Sequence, residues 1–262
     1  MISAGLDEQV RALREGRAFV RPSARTVAVT GADAPGWLND LVTAGVDTLG
    51  VGASVRSLLL SPTGHVRADL IVLRTPDAHL ILQTDDQPEA IDDILSPFIL
   101  SSAVEVRATT AAPVLLAADG AWIARLEPPE DAVEASRDAA EAWRIAEGIA
   151  VFPVDLDAGS IPAEAGLDVP PVTDVGKGCF LGQESVARVR NLGRPPRTIV
   201  AVRSEGAVSA GDSVETRGGA AGIVTSAAPD PDGEGSIAIV RIRWDMRGER
   251  LSTSRGATLR RS

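Results

Sequence analysis

Residues 54–73 read SVRSLLL, SPTG and HVRADLIVL, and they limit the fold more than any other stretch. Two apolar runs are parted by Ser61-Pro62-Thr63-Gly64, a turn sequence, so the segment predicts a β-hairpin. AHLILQT (78–84) adds a third strand. A helix is expected from Asp85 or Asp86 through Phe98, with Ile91, Ile94, Leu95 and Phe98 on one face. Upstream, TVAVTG (26–31) alternates apolar and polar residues as a half-buried strand does. Asp33 is then expected to cap a short helix, with Pro35 in its first turn and Trp37, Leu38, Leu41 and Val42 at helical spacing. Strand–strand–helix order with short loops specifies α+β architecture with antiparallel sheet, not a doubly wound nucleotide fold.

Farther along, PVLLAAD and AWIARL read as strands and EASRDAAEAWRIAEG as a helix, before a long loop over 152–176 rich in proline, glycine and acid. Composition shifts at GRPPR (193–197). The short runs RTIVAVR, GIVTSAA and SIAIVRIRW, separated by glycine-rich turns, predict a small C-terminal β-barrel or sandwich.

Bulk properties remove several classes of function. A net charge of −10 over 262 residues argues against a general nucleic-acid or membrane-surface binder. No apolar run approaches the roughly 20 residues of a membrane-spanning helix, and MISAGLDEQVRALREGRAF lacks the apolar core of a signal peptide. A cytoplasmic location is therefore expected. A single cysteine excludes an internal disulfide framework and a four-cysteine cluster site built by this chain alone.

That cysteine, Cys179, lies in VGKGCFLGQESVAR (175–188), two positions after Lys177, the only lysine among twenty-six basic residues. Gly176, Gly178 and Gly182 allow the backbone to bend sharply around them. QESVAR reads as helical, with Glu184 and Arg188 as an i,i+4 pair. A thiol just before a helix N-terminus and beside an ammonium is favoured as thiolate, the nucleophilic and metal-ligating form. The segment is not a P-loop, because no Ser or Thr follows the lysine and Pro171 stands where the first glycine belongs. GCFLG also lacks the spacing of a hydrolase elbow. A cysteine–histidine dyad would need His65 or His79, whose placement the sequence leaves open. Arg188, Arg190, Arg194, Arg197 and Arg203 make the following stretch locally basic, suited to a solvated face or a modest site for a carboxylate or phosphate.

KGCFLGQESVAR resembles the K-G-C-[FY]-x-G-Q-E-x-x-x-R signature of YgfZ-type folate-binding proteins, relatives of the glycine cleavage aminomethyltransferase (T-protein) implicated in assembly or repair of iron–sulfur clusters. TGADAPGWLNDLVTAGVDTL, LLLSPTGHVRADLIV, WRIAEGIAVFPVDLDAGSIPAE and GIVTSAA are similar to further blocks of that family. The resemblance implies a three-domain ring with a central folate channel. Its units would be an N-terminal folate-binding domain at 1–110, a second α+β domain with the cysteine motif at 111–195, and a C-terminal β-barrel at 196–262. It implies a functional surface of Lys177, Cys179, Gln183, Glu184 and Arg188, and a folate side carrying Asp69, Trp143 and Arg144. The chain departs from T-proteins in having Ala146 where they carry a glutamate, with Glu147 one position on, and in keeping one acid, Asp69, of a pair.

The implied activity is a tetrahydrofolate-binding factor, taking the folate or a one-carbon derivative, that supports iron–sulfur client proteins through a reactive cysteine loop. Lys177 would stabilise the thiolate, while Gln183 and Glu184 would orient the loop. No direct nucleic-acid or membrane partner is expected. The alternative is a folate-dependent one-carbon transferase, with Asp69 positioning the transferable group. A third reading is a folate-sensing adaptor whose Cys179 loop is a docking surface, with partner binding lost on changing Arg188 or Arg190 but not Cys179.

Overall fold

Helix α1 (Leu6–Arg14) and strand β1 (Ala18–Val20) open the chain in the computed structural model, which describes residues 5–261. They are followed by β2 (Ala24–Thr30), α2 (Ala34–Asn39), the hairpin β3 (Ser54–Leu60) and β4 (Val66–Arg74), β5 (His79–Thr84), and the short α3 (Ile91–Leu95). Next come β6 (Glu105–Thr109), β7 (Val114–Ala118), β8 (Ala121–Arg125), β9 (Val133–Glu134) and α4 (Arg137–Ala146). After a long loop, α5 (Gln183–Leu192) leads into β10 (Arg197–Ser204), β11 (Ser213–Thr216), β12 (Gly219–Pro229), β13 (Ser236–Arg243), β14 (Leu251–Thr253) and β15 (Thr258–Arg261).

The hairpin pairs Arg56 with Ile71 and Leu58 with Asp69, and it edges a five-stranded sheet in the order β3-β4-β5-β2-β6. All pairings in that sheet are antiparallel. Alternation along β4 puts Ala68, Leu70 and Val72 into a core with Leu38 of α2 and Ile91 and Ile94 of α3. Arg67, Asp69 and Ile71 stand on the other face. A four-stranded sheet has the order β8-β7-β1-β9. Thus β1, inside the segment expected as unit 1–110, hydrogen-bonds to β7 and β9 of the segment expected as 111–195. The C-terminal strands close a six-stranded barrel, β10-β13-β12-β11-β14-β15, filled by Val202, Val214, Val224, Val240, Ile242 and Leu251. The expected barrel is present.

Two local expectations change. Asp33 does not cap α2 with its side chain; its Oδ2 accepts instead from Ala103 N–H at 2.7 Å, which ties the start of α2 to the segment leading into the edge strand β6. The helix expected from Asp85 shrinks to α3 and a following 3₁₀ turn, Ser96–Phe98. Pro88 disfavours helical φ/ψ at Gln87, and Gln83 Oε1 accepts the Ile91 N–H at 2.8 Å, doing the capping from β5. No helix among the described residues is long and apolar enough to cross a membrane.

Three links set the sheets around one space. Ser54 Oγ of β3 accepts from Ala124 N of β8 at 2.8 Å, joining the two open sheets. Helix α4, capped by Ser136, whose side chain accepts from Ala139 N, packs its apolar face on α1 and on the barrel strands β12 and β13. The loop after α4 then runs between the hairpin and the barrel, burying Phe152 and Leu156 against Leu58, Leu60 and Val66.

Candidate functional site: a cavity and a displayed thiol

Between the two open sheets and α4 lies a cavity of about 1530 Å³. Its walls are built by period and pitch: Ser54 and Arg56 from β3, Asp69 and Ile71 from β4, Trp122 from β8, and Ala140, Glu141 and Arg144 one turn apart on α4. Phe152 and the 165–172 loop close another side. Pockets for drug-sized ligands are usually about 300–1,000 Å³, mostly apolar with a few fixed polar groups. This one exceeds that range and has that character.

Asp69 faces the cavity but is already engaged. Arg56 grips both carboxylate oxygens, Nε to Oδ1 at 2.9 Å and Nη2 to Oδ2 at 2.6 Å, with the aspartate side chain 10% exposed. Burial opposes the Arg56 charge, but Asp69 outweighs it and raises the guanidinium pKa. Buried Gln87 reads the backbone of the same residue, accepting from Asp69 N at 2.9 Å and donating to Asp69 O at 2.7 Å.

Arg144 lines the cavity yet has no donor to offer a ligand. Nε donates to Glu141 at 2.6 Å and Nη2 to Glu141 at 2.5 Å and Ser226 Oγ at 2.8 Å. Nη1 donates to Ile149 O at 3.0 Å and Asp155 at 2.8 Å, which uses all five N–H groups. Trp143, expected on the folate side, is instead 2% exposed in the core under α4. Its ring meets Trp122 with centroids 4.3 Å apart at a 57° tilt, so Trp122 is the indole at the cavity wall. One helical position accounts for this: 140, 141 and 144 face the cavity, whereas 139, 142, 143 and 145 face the core.

The cysteine loop is a separate surface. Cys179 is exposed, and none of residues 175–188 lines the cavity. The residues on either side of it anchor inward. Phe180 is buried against Leu58, Leu60, Phe152 and Val186, a burial worth about 1.5–3 kcal/mol. Lys177 Nζ donates to Asn39 O at the end of α2, where a cation complements the helix dipole, and lies 5.3 Å from the Phe180 ring centre. Burial lowers the Lys177 pKa to about 8, against the pull of Asp40, Asp47 and Asp174 towards the charged form. The ammonium therefore pins the loop to the first sheet's helix rather than pairing with Cys179, whose thiol has no partner among the described residues.

Gln183 Nε2 closes the loop by donating to Val175 O at 3.1 Å. Glu184 and Arg188 are both exposed, and the i,i+4 ion pair between them does not form. Neither histidine joins the thiol: His79 is buried with Nε2 3.0 Å from Val46 O, and His65 Nδ1 lies 3.1 Å from Thr63 Oγ1. Among the described residues no group of three or more His, Cys, Asp or Glu is placed to hold a metal ion.

The chain superposes with a TM-score of 0.80 on the glycine cleavage system aminomethyltransferase T from Bartonella henselae, covering 98% of this chain and 88% of that one at 18% identity. The fold is T-protein-like. No protein-family profile matches the sequence, and no curated protein sequence matches it significantly. In this T-protein-like fold, Arg56, Gln87, Trp122 and Glu141 are the cavity residues that reading the sequence missed. Arg56 was within reach: it sits across the hairpin from Ile71, two residues from Asp69 on the same face. Glu141 was within reach too, since Arg144 stands at i,i+3 on the same helix, whereas Trp122 carries no such signal because its partner Trp143 lies in another element.

Proposed function

We propose that the chain binds tetrahydrofolate, or a one-carbon derivative, in the cavity and supports assembly or repair of iron–sulfur clusters in client proteins through Cys179. The observation that carries this reading is the separation of the two sites: a formed cavity with no thiol on its wall, and an exposed thiol flanked by inward anchors. The resemblance of KGCFLGQESVAR to YgfZ-type folate-binding proteins supports the ligand and the role. The cavity residues fit the ligand, since Trp122, Ile71 and Phe152 offer apolar surface to a planar ring while Glu141, 45% exposed, supplies an acceptor. A bound folate would bring the one-carbon-carrying nitrogens.

Cys179 supplies one thiolate, so a cluster would be held only jointly with a client that provides the remaining ligands. Its exposure suits such a transient contact.

A second reading, one-carbon transfer, is favoured by the neighbour's being an aminomethyltransferase. Against it stands Asp69, whose two oxygens are held by Arg56 and so are not free to position a transferable group. The test compares wild type with Cys179→Ser. Retained tetrahydrofolate binding with lost support of cluster enzymes is the expected outcome. Turnover of methylene-tetrahydrofolate with an amine donor would favour the transferase instead.

A further inference from the structure

Strands and helix α4 build most of the cavity wall, but residues 148–154 and 166–172 complete it with irregular backbone. Val154 and Val169 line the cavity with 44% and 47% of their surface open to water, apolar area that a ligand would cover. Phe152, Leu167 and Val172 line it too, and these same side chains pack in the cluster that holds Phe180, the residue after Cys179, and Val186 of α5. One layer of side chains therefore separates the cavity from the anchor of the thiol loop. Hydrogen bonds follow the same path. Buried Thr173 donates from Oγ1 to Leu167 O at 2.7 Å and from N to Val169 O at 3.0 Å. Thr43, wholly buried just past α2, donates from Oγ1 to Val172 O at 2.7 Å, and its O accepts from Asp174 N at 3.0 Å. At the other end of the loop Leu181 N donates to Asp40 O at 3.2 Å. The thiol loop thus spans two ties to the end of α2, and the first of them lies two residues beyond the cavity wall.

We propose that occupancy of the cavity regulates the thiol loop: a ligand packed on Val154, Leu167 and Val169 holds residues 166–182 seated, and with them the pose in which Cys179 is displayed. The inference rests on the folate reading for its ligand and adds the coupling between the two sites. The element with two states is the 166–182 segment, either seated on Thr43 and the Phe180 cluster or lifted from them. Irregular backbone of this kind opens locally at a free energy well below that of the whole fold. A ligand that covers the two valines contacts them in the seated state alone, so its differential affinity draws the segment into that state.

The test is amide hydrogen exchange of the full wild-type chain, with and without saturating 5-formyltetrahydrofolate, whose binding is measured in parallel by equilibrium titration. The amides of Asp174 and Leu181 are expected to slow about 5- to 20-fold when the folate is bound. Leu181 is the decisive one, because none of residues 175–188 lines the cavity and direct contact with the ligand does not reach it. Thr253 and Gly256, hydrogen-bonded in a barrel turn that contributes nothing to the cavity wall, should exchange as before. Unchanged exchange at Leu181 with the folate bound would overturn the coupling and leave the folate reading standing. Slowing that spreads equally to Thr253 and Gly256 would overturn it as well, since that is stabilisation of the whole fold. Absence of any folate binding would sink both readings.

Discussion

Arg144 Nη1 lies 2.8 Å from Asp155 Oδ2, and the aspartate side chain is wholly buried. The same carboxylate accepts from Thr225 Oγ1 at 2.5 Å and Ser226 Oγ at 2.7 Å, so one side chain joins α4, the loop after it and barrel strand β12. This junction fixes the cavity wall that α4 provides.

Asp155→Ala removes the buried one of the two carboxylates that hold Arg144 and leaves the Ser226 hydroxyl without its acceptor, while Glu141 still binds the guanidinium. Breaking a buried pair by removing one partner costs about 3–5 kcal/mol, and Glu141, still bound to Arg144, holds the loss to the lower end of that range. Urea denaturation should show a loss of that size. A loss below about 1 kcal/mol would mean that the pair is not what joins helix and barrel.

Lys177 titrates below its ordinary value because burial penalises the ammonium. Between about 8 and the model-peptide value of 10.5, the unfolded chain holds a proton that the folded chain has released. Stability attributable to this group therefore rises with pH across that window, and the cost of burying the charge is fully felt below pH 8. As the chain has one lysine, ¹³C-labelled lysine gives a single side-chain NMR signal, expected to titrate with a midpoint near 8. A midpoint at 10.5 would place the ammonium in solvent.

Gly182 and Gly64 seat the thiol loop on the hairpin. A Cβ at Gly182 would stand 2.7 Å from Ser61 O at a φ of +82°, and one at Gly64 would stand 2.6 Å from Ser185 Cβ at +83°. Either glycine-to-alanine change should cost about 1–3 kcal/mol through strain and displacement. Limited proteolysis should then cut within 175–182 faster than in wild type. Unchanged cleavage would show that α5 holds the loop without this contact.

Local pattern made the antiparallel hairpin, β5 and α5 readable, because turn chemistry and apolar periodicity act within a few residues. The closed barrel was half-readable: its short strands announced themselves, whereas closure depends on β10 pairing with both β13 and β15 across some thirty to sixty residues. Site residues divided the same way. Cys179 was singled out by rarity and glycine context, and the fold leaves it exposed. Lys177 was read as the cysteine's partner because the two are neighbours in sequence, yet its ammonium is taken up by Asn39 O, 138 residues away. Trp143 was assigned to the ligand side from motif position, and α4's pitch turned it into the core. The cavity itself joins residues from Val20 to Val172, a juxtaposition that no local pattern encodes.

The central claim is that ligand binding and thiol chemistry belong to separate surfaces, and it is tested most directly by the activity of an iron–sulfur enzyme in cells lacking their own cluster-maintenance factor. Expression of wild type should restore that activity. Cys179→Ser, purified in parallel and still binding tetrahydrofolate, should restore none of it. Full restoration by Cys179→Ser would contradict the account.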